Sequence, residues 1–181
     1  MLISLFKCCP QVRRKIIEIE EEFDLVMVSE DLDSSLVLLS ELLCWPLEAM
    51  VALPVNVRFP QYKRAMDAET RALLRDWLWA DQMLYDHFRT LFHRRKLEFG
   101  AERLDDAVRR LQRLNYEARE LCGVSENHYD NLDGVFKPSS NLVKGYVVNK
   151  RPECVNMARC ELSYIEILRD KQIQLAKRSR A

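Results

Sequence analysis

Four side chains in this sequence join a reactive chemical type to a position where that chemistry has a use. Glu30 stands just beyond the apolar run Leu25 to Val28, and open α/β sheets hold their ligands at the carboxyl ends of their buried strands. The same carboxylate suits capping of the next helix or pairing with an arginine. Asp81 falls on an apolar helical stripe, seven residues after Leu74 and three before Leu84. A carboxylate on such a stripe has to be paired, hydrogen-bonded or turned toward a cleft. His87 lies beside that stripe, where an imidazole near a hydroxyl is a general base and a histidine bonded to a neighbour is structural. Tyr85, with Trp77 and Trp79, offers ring faces for a sugar to stack on, or for the core to pack on. Glu30, Asp81, Tyr85 and His87 are therefore the candidates for a ligand cleft, and none of them is singled out as the catalytic residue.

Other chemistries find little support. A phosphate-cradling loop needs several small residues so that backbone N–H groups can approach the anion, and the four glycines here are isolated from one another. The stretch "VKGYVVNKR" (143–151) is basic with a single glycine and reads as a solvated loop, with no cofactor-binding residue to name. No nucleophile elbow and no metal-ligand spacing occurs. Six cysteines without a C-x-x-C pair leave both buried thiols and one or two disulfides open. Lysine plus arginine and aspartate plus glutamate each total 28, so no global field draws nucleic acid. Arg103, Arg109, Arg110, Arg113 and Arg119 alternate with acids, as on a mixed solvated helix face.

The elements that must position these groups can be read from periodicity. Val12, Ile16 and Ile19 predict a short amphipathic helix from about Gln11 to Glu22. Leu25 to Val28 suits a strand covered on both faces, and a nearly all-apolar helix begins near Ser34, with Asp31 or Asp33 as its cap. Residues 11–50 thus form a helix-strand-helix unit. Pro46, Pro54 and Pro60 prevent a long helix between Trp45 and Met66, and "MVALPVNV" suits a short edge strand. Residues 67–122 form a long helical region. Asp67 opens a helix of about 30 residues whose apolar face runs through Leu74, Trp77, Leu78, Leu84, Tyr85, Phe88, Leu91 and Phe92. A second helix repeats Leu97, Ala101, Leu104, Val108, Leu111, Asn115, Ala118 and Cys122, with Gly100 at the join and Gly123 as its stop. That seam suits intramolecular packing, and a homo-oligomer is the alternative. Residues 124–152 read as irregular apart from a strand at "YVV", and a last helix covers 155–178 before a basic tail. The chain is mostly α-helical, with one or few short strands. "MLISLF" is too short for an anchor or a leader, so none is visible.

Two stretches carry a resemblance. "FDLVMVSEDLDSSLVLLSELLCWPLEAM" (23–50) and "ETRALLRDWLWADQMLYDHFRTLF" (69–92) closely resemble the carboxyl-terminal half of the galactose-3-O-sulfotransferases, which include galactosylceramide sulfotransferase. "RRLQRLNYEARELC" and "ELSYIEILR" are weaker continuations. The resemblance implies an α/β, P-loop-like sulfotransferase fold, of which residues 1–181 form a single partial domain. It implies transfer of a sulfuryl group from 3′-phosphoadenylyl sulfate, without a metal, to the 3-hydroxyl of galactose on a glycolipid or glycan. It also implies a place on the luminal side of the Golgi membrane. The family's donor-binding loop has no counterpart among these residues, so the sequence alone leaves open a non-enzymatic helical interaction protein or truncated relative.

Overall fold

The computed structural model describes residues 2–55, 57–127, 132, 135–138 and 140–178, with backbone alone for 2–9. It is mostly helical with one two-stranded antiparallel sheet. Contacts divide the chain into two compact units, Met1–Met50 with Ala65–Gln112, and Val51–Arg64 with Arg113–Ala181.

Unit one is built from α1 (Leu2–Glu22), α2 (Leu32–Leu42), α3 (Ala68–Trp77), α4 (Trp79–Phe99) and the first half of α5 (Ala101–Cys122). The helix expected from Gln11 starts earlier, and Ile16 is its buried contact. Val37, Met50, Leu104 and Leu111 make one cluster with Phe99 and Val108 around it. Val28, Leu38 and Phe92 make another. The three-and-four spacing of α5 therefore serves packing inside the unit, although Leu97 lies in α4 and is exposed.

The expected strand at Leu25 to Val28 is not one: it pairs with no strand among the described residues. Val28 is extended, at φ −109° and ψ 118°, and buried. Its backbone finds a side chain instead. Ser35, fully buried in α2, accepts from Val28 N–H at 3.1 Å, and its proton faces the Asp31 carbonyl at 2.9 Å and the Val28 carbonyl at 3.1 Å. A buried N–H left unpaired would cost about 1–3 kcal/mol, and this hydroxyl averts that.

Asp31 occupies the N-cap position of α2 but makes no capping bond; its carboxylate meets Lys96 Nζ of α4 at 2.5 Å. Burial opposes ionisation of Asp31, yet the Lys96 ammonium and the Ser34 dipoles more than offset it and hold the carboxyl below its ordinary value. Asp67 does cap, accepting from Thr70 N–H at 2.7 Å. The long helix expected after it is interrupted at Leu78 (φ −92°, ψ 26°). That break shifts the phase of the stripe: Phe88 and Phe92 are buried, while Trp77 is 78% exposed. At the end of α2, Cys44 takes φ 52°, with Trp45 N–H on Ser40 O and Cys44 N–H on Glu41 O. This left-handed cap is one a glycine usually fills. Gly123 fills the equivalent place after α5, as its position predicts.

Unit two holds the end of α5, β1 (Ser125–Asn127), β2 (Gly145–Val147), α6 (Pro152–Ala158) and α7 (Glu161–Arg178). Ser125 pairs with Val147 and Asn127 with Gly145. The strand expected at 146–148 is thus present one residue earlier, and the helix expected over 155–178 is broken at Arg159 and Cys160. The edge strand expected over 50–57 is not among the strands of the described residues; just after it, Arg58 bridges Val143. Parts of 124–152 and the end of the basic tail lie outside the described residues. Buried Tyr146 donates to the Pro54 carbonyl at 2.6 Å. The cysteine question resolves in part: Cys122 and Cys154 form a disulfide across 32 residues, and Cys44 is an exposed thiol.

Closing a loop of that length removes unfolded-state entropy worth about 3–4 kcal/mol, so Cys122→Ser or Cys154→Ser should lower the thermal midpoint of unit two. A reductant should lower it in the wild type and leave the variants unmoved, as read by calorimetry. The Asp31 carboxyl is depressed in the folded state, so its contribution is present above the ordinary carboxylate range and lost as pH falls through the folded value. Half-exposed, the pair is worth about 1 kcal/mol or less. Asp31→Asn should flatten that acid limb in urea unfolding measured across pH, with neutral stability lowered by the same amount.

Candidate functional site

Unit one carries a groove of about 410 Å³. Its floor is apolar, from Phe23, Val26, Phe88, Leu91 and Phe92, and its rim carries Glu20, Arg94, Arg95 and Glu98. The local sequence accounts for this division. On α4, Leu91, Arg94, Arg95 and Glu98 succeed one another at spacings of three and four, which place them on one helical face. Phe23 comes just after the last turn of α1, with its N–H still bonded to the Ile19 carbonyl at 3.0 Å. Its ring is 53% exposed.

At the rim, Glu20 Oε2 lies 2.9 Å from His87 Nε2. Both side chains are partly exposed, the histidine 36% and the glutamate 45%. The imidazole stands edge-on to Phe88, with centroids 5.1 Å apart at 86°. A carboxylate that accepts Nε2–H leaves the lone pair on Nδ1, the tautomer able to take a proton there. An aromatic floor, hydroxyl-binding carboxylates and arginines, and a carboxylate-held imidazole can bind a polyhydroxylated ring and accept a proton from it.

None of the four candidates read from the sequence lines this groove; His87 touches it only through the rim residue Glu20. Glu30 is exposed on the turn Ser29–Asp31 and accepts from the Ser29 hydroxyl at 3.1 Å. Asp81 is exposed in the first turn of α4, where a carboxylate complements the helix dipole. Its place on a buried stripe disappears with the break at Leu78. Tyr85 is 36% exposed, one turn before the groove begins. Neither it nor Asp81 nor Glu30 lines the groove. Glu20, Phe23, Arg94 and Arg95 were the residues missed. The i, i+4 step from Ile16 to Glu20 marked a carboxylate at the edge of the buried face of α1, and that was the one signal available.

Among the described residues no three metal-ligating side chains converge, and no helix is long and apolar enough to cross a membrane. Comparison with known proteins bears on the whole chain. The family model for galactose-3-O-sulfotransferase matches residues 5–172. Human galactose-3-O-sulfotransferase 2 is 39% identical over 132 residues, covering 70% of this chain and 33% of that protein. Bovine galactosylceramide sulfotransferase is 38% identical over 113 residues, 62% of this chain and 27% of that protein. Bovine galactose-3-O-sulfotransferase 4 is 33% identical over 176 residues, 85% of this chain and 36% of that protein. The chain spans about a third of the length of the curated relatives it matches. No solved structure matches it. With a single family model covering nearly all of its residues, the chain belongs to the galactose-3-O-sulfotransferase family.

Proposed function

We propose that these 181 residues form the carboxyl-terminal part of a sulfotransferase domain of P-loop-like α/β fold, and that the unit-one groove is its acceptor side. The observation that carries this is the Glu20–His87 pair at the rim of an aromatic-floored groove in a member of this family. The acceptor is a galactose-terminated glycolipid or glycan, and the donor is 3′-phosphoadenylyl sulfate. Sugar C–H faces pack on the exposed ring of Phe23, and hydroxyls bond to Glu98 and the arginines. The 3-oxygen attacks sulfur, the bond from sulfur to the phosphate oxygen breaks, and adenosine 3′,5′-bisphosphate leaves. The 3-hydroxyl proton passes to His87 Nδ1, while Glu20 holds Nε2–H and stabilises the imidazolium that forms.

Donor binding calls for cations and backbone N–H groups around the leaving phosphate, and no glycine-rich loop lies within these residues. We assign that role to sequence beyond them, in keeping with the share of the relatives that is covered. The Cys122–Cys154 disulfide supports an oxidising compartment such as the Golgi lumen.

The test is sulfate incorporation into a β-galactosyl glycolipid by the longest polypeptide that the gene encodes. His87→Ala should lower kcat by about 10² to 10⁴ with a small change in KM. Glu20→Gln should lower kcat by about tenfold and alter its pH profile. Full activity in His87→Ala, with its fold intact by circular dichroism, would remove the histidine from the mechanism.

A further inference from the structure

Unit two has a cavity of its own, of about 380 Å³. Phe136, Tyr146 and Tyr164 give it an aromatic, largely apolar wall, and Lys144, Arg159 and Glu161 bring charge to it. It lies wholly within unit two, so its role is independent of the acceptor groove.

Arg159 sits at the break between α6 and α7. Its Nη1 donates to Ser163 Oγ at 2.9 Å, and its guanidinium carbon is 5.6 Å from the Tyr164 ring centre. Its Nε is buried and has no hydrogen-bond acceptor among the described residues. Buried donors are satisfied in almost every native structure, so this exception marks Arg159 as a residue whose role packing alone does not explain. Lys144 Nζ is held by Glu126 at 2.5 Å, which leaves Arg159 as the cation of the lining with no carboxylate partner among the described residues. The ring of Tyr164 is fixed from its far end, where its hydroxyl donates to the Asn156 carbonyl at 2.7 Å. Tyr146 is likewise anchored on Pro54.

We propose that this cavity binds a small oxyanion carried on a flat apolar group, such as an aryl phosphate or aryl sulfate. The oxyanion pairs with the guanidinium of Arg159, which stands on the cavity lining. The ring packs among Phe136, Tyr146 and Tyr164. The Arg159–Ser163 bond and the Tyr164 contact hold the guanidinium plane in place, so little rotamer freedom is lost on binding. Glu161 stands on the same lining and repels the anion, which makes it an internal control.

The purified chain is titrated with phenyl phosphate, phenyl sulfate, benzyl alcohol and inorganic sulfate while the Arg159 Nε–H resonance is monitored by NMR. The aryl esters should shift that resonance saturably and bind at least about tenfold tighter than benzyl alcohol or inorganic sulfate. A preference for phenyl phosphate identifies a phosphate ester as the ligand, and the reverse a sulfate ester. Arg159→Lys should weaken binding about tenfold. Glu161→Gln, on the exposed first turn of α7, should tighten it several-fold by removing the repulsion. The proposal is overturned if neither ester binds at about 10 mM, or if Glu161→Gln leaves the affinity unchanged.

Discussion

The Ser35 hydroxyl satisfies the backbone of Val28 from a fully buried position, and the shape of unit one depends on that bond. An extended apolar run normally exchanges hydrogen bonds with neighbouring strands. Here one side chain of α2 takes that place, and Val28 is drawn onto Leu38 and Phe92. The chain leaving α1 is thereby set against α4. Phe23 and Val26 then face Phe88 and Phe92 across the groove, and Glu20 meets His87. A packing decision made 15 residues away from Glu20 thus fixes the chemistry at the rim.

Charge then reinforces what burial arranges. Asp31 gives up the cap of α2 to pair with Lys96, tying the same segment to α4 a second time. Arg103 on Glu41, Arg110 on Glu48 and Gln112 on Asp33 join α5 to α2 and the short turn after it. Exposed pairs of this kind are each worth about 1 kcal/mol or less. They set register along helices that the Val37, Leu104 and Leu111 cluster already holds together.

Helices were legible in the sequence because their period repeats over many residues. The buried ends at Ile16, Leu104 and Leu111, the cap at Asp67 and the stop at Gly123 all lie where their residue types place them. The break at Leu78 was not legible, since neither proline nor glycine marks it, and with it went the expected burial of Trp77 and Asp81. The Leu25–Val28 run reads as a strand because composition reports burial and not pairing; which partner supplies the hydrogen bonds is a tertiary fact. The Glu20–His87 pair was half legible for a related reason. His87 stood out by type and place, whereas Glu20 lies 67 residues away on a helix with no signal linking the two.

The proposed sulfuryl transfer needs an imidazole with one nitrogen bare to accept a proton, and the Glu20 contact selects which nitrogen that is. The most direct measurement is the tautomer of His87, from long-range ¹H–¹⁵N NMR spectra of the purified chain at a pH where the ring is neutral. Nε2 protonated and Nδ1 bare, with the preference weakened in Glu20→Gln, is the result the account predicts. A proton on Nδ1, or a tautomer indifferent to Glu20, would contradict it.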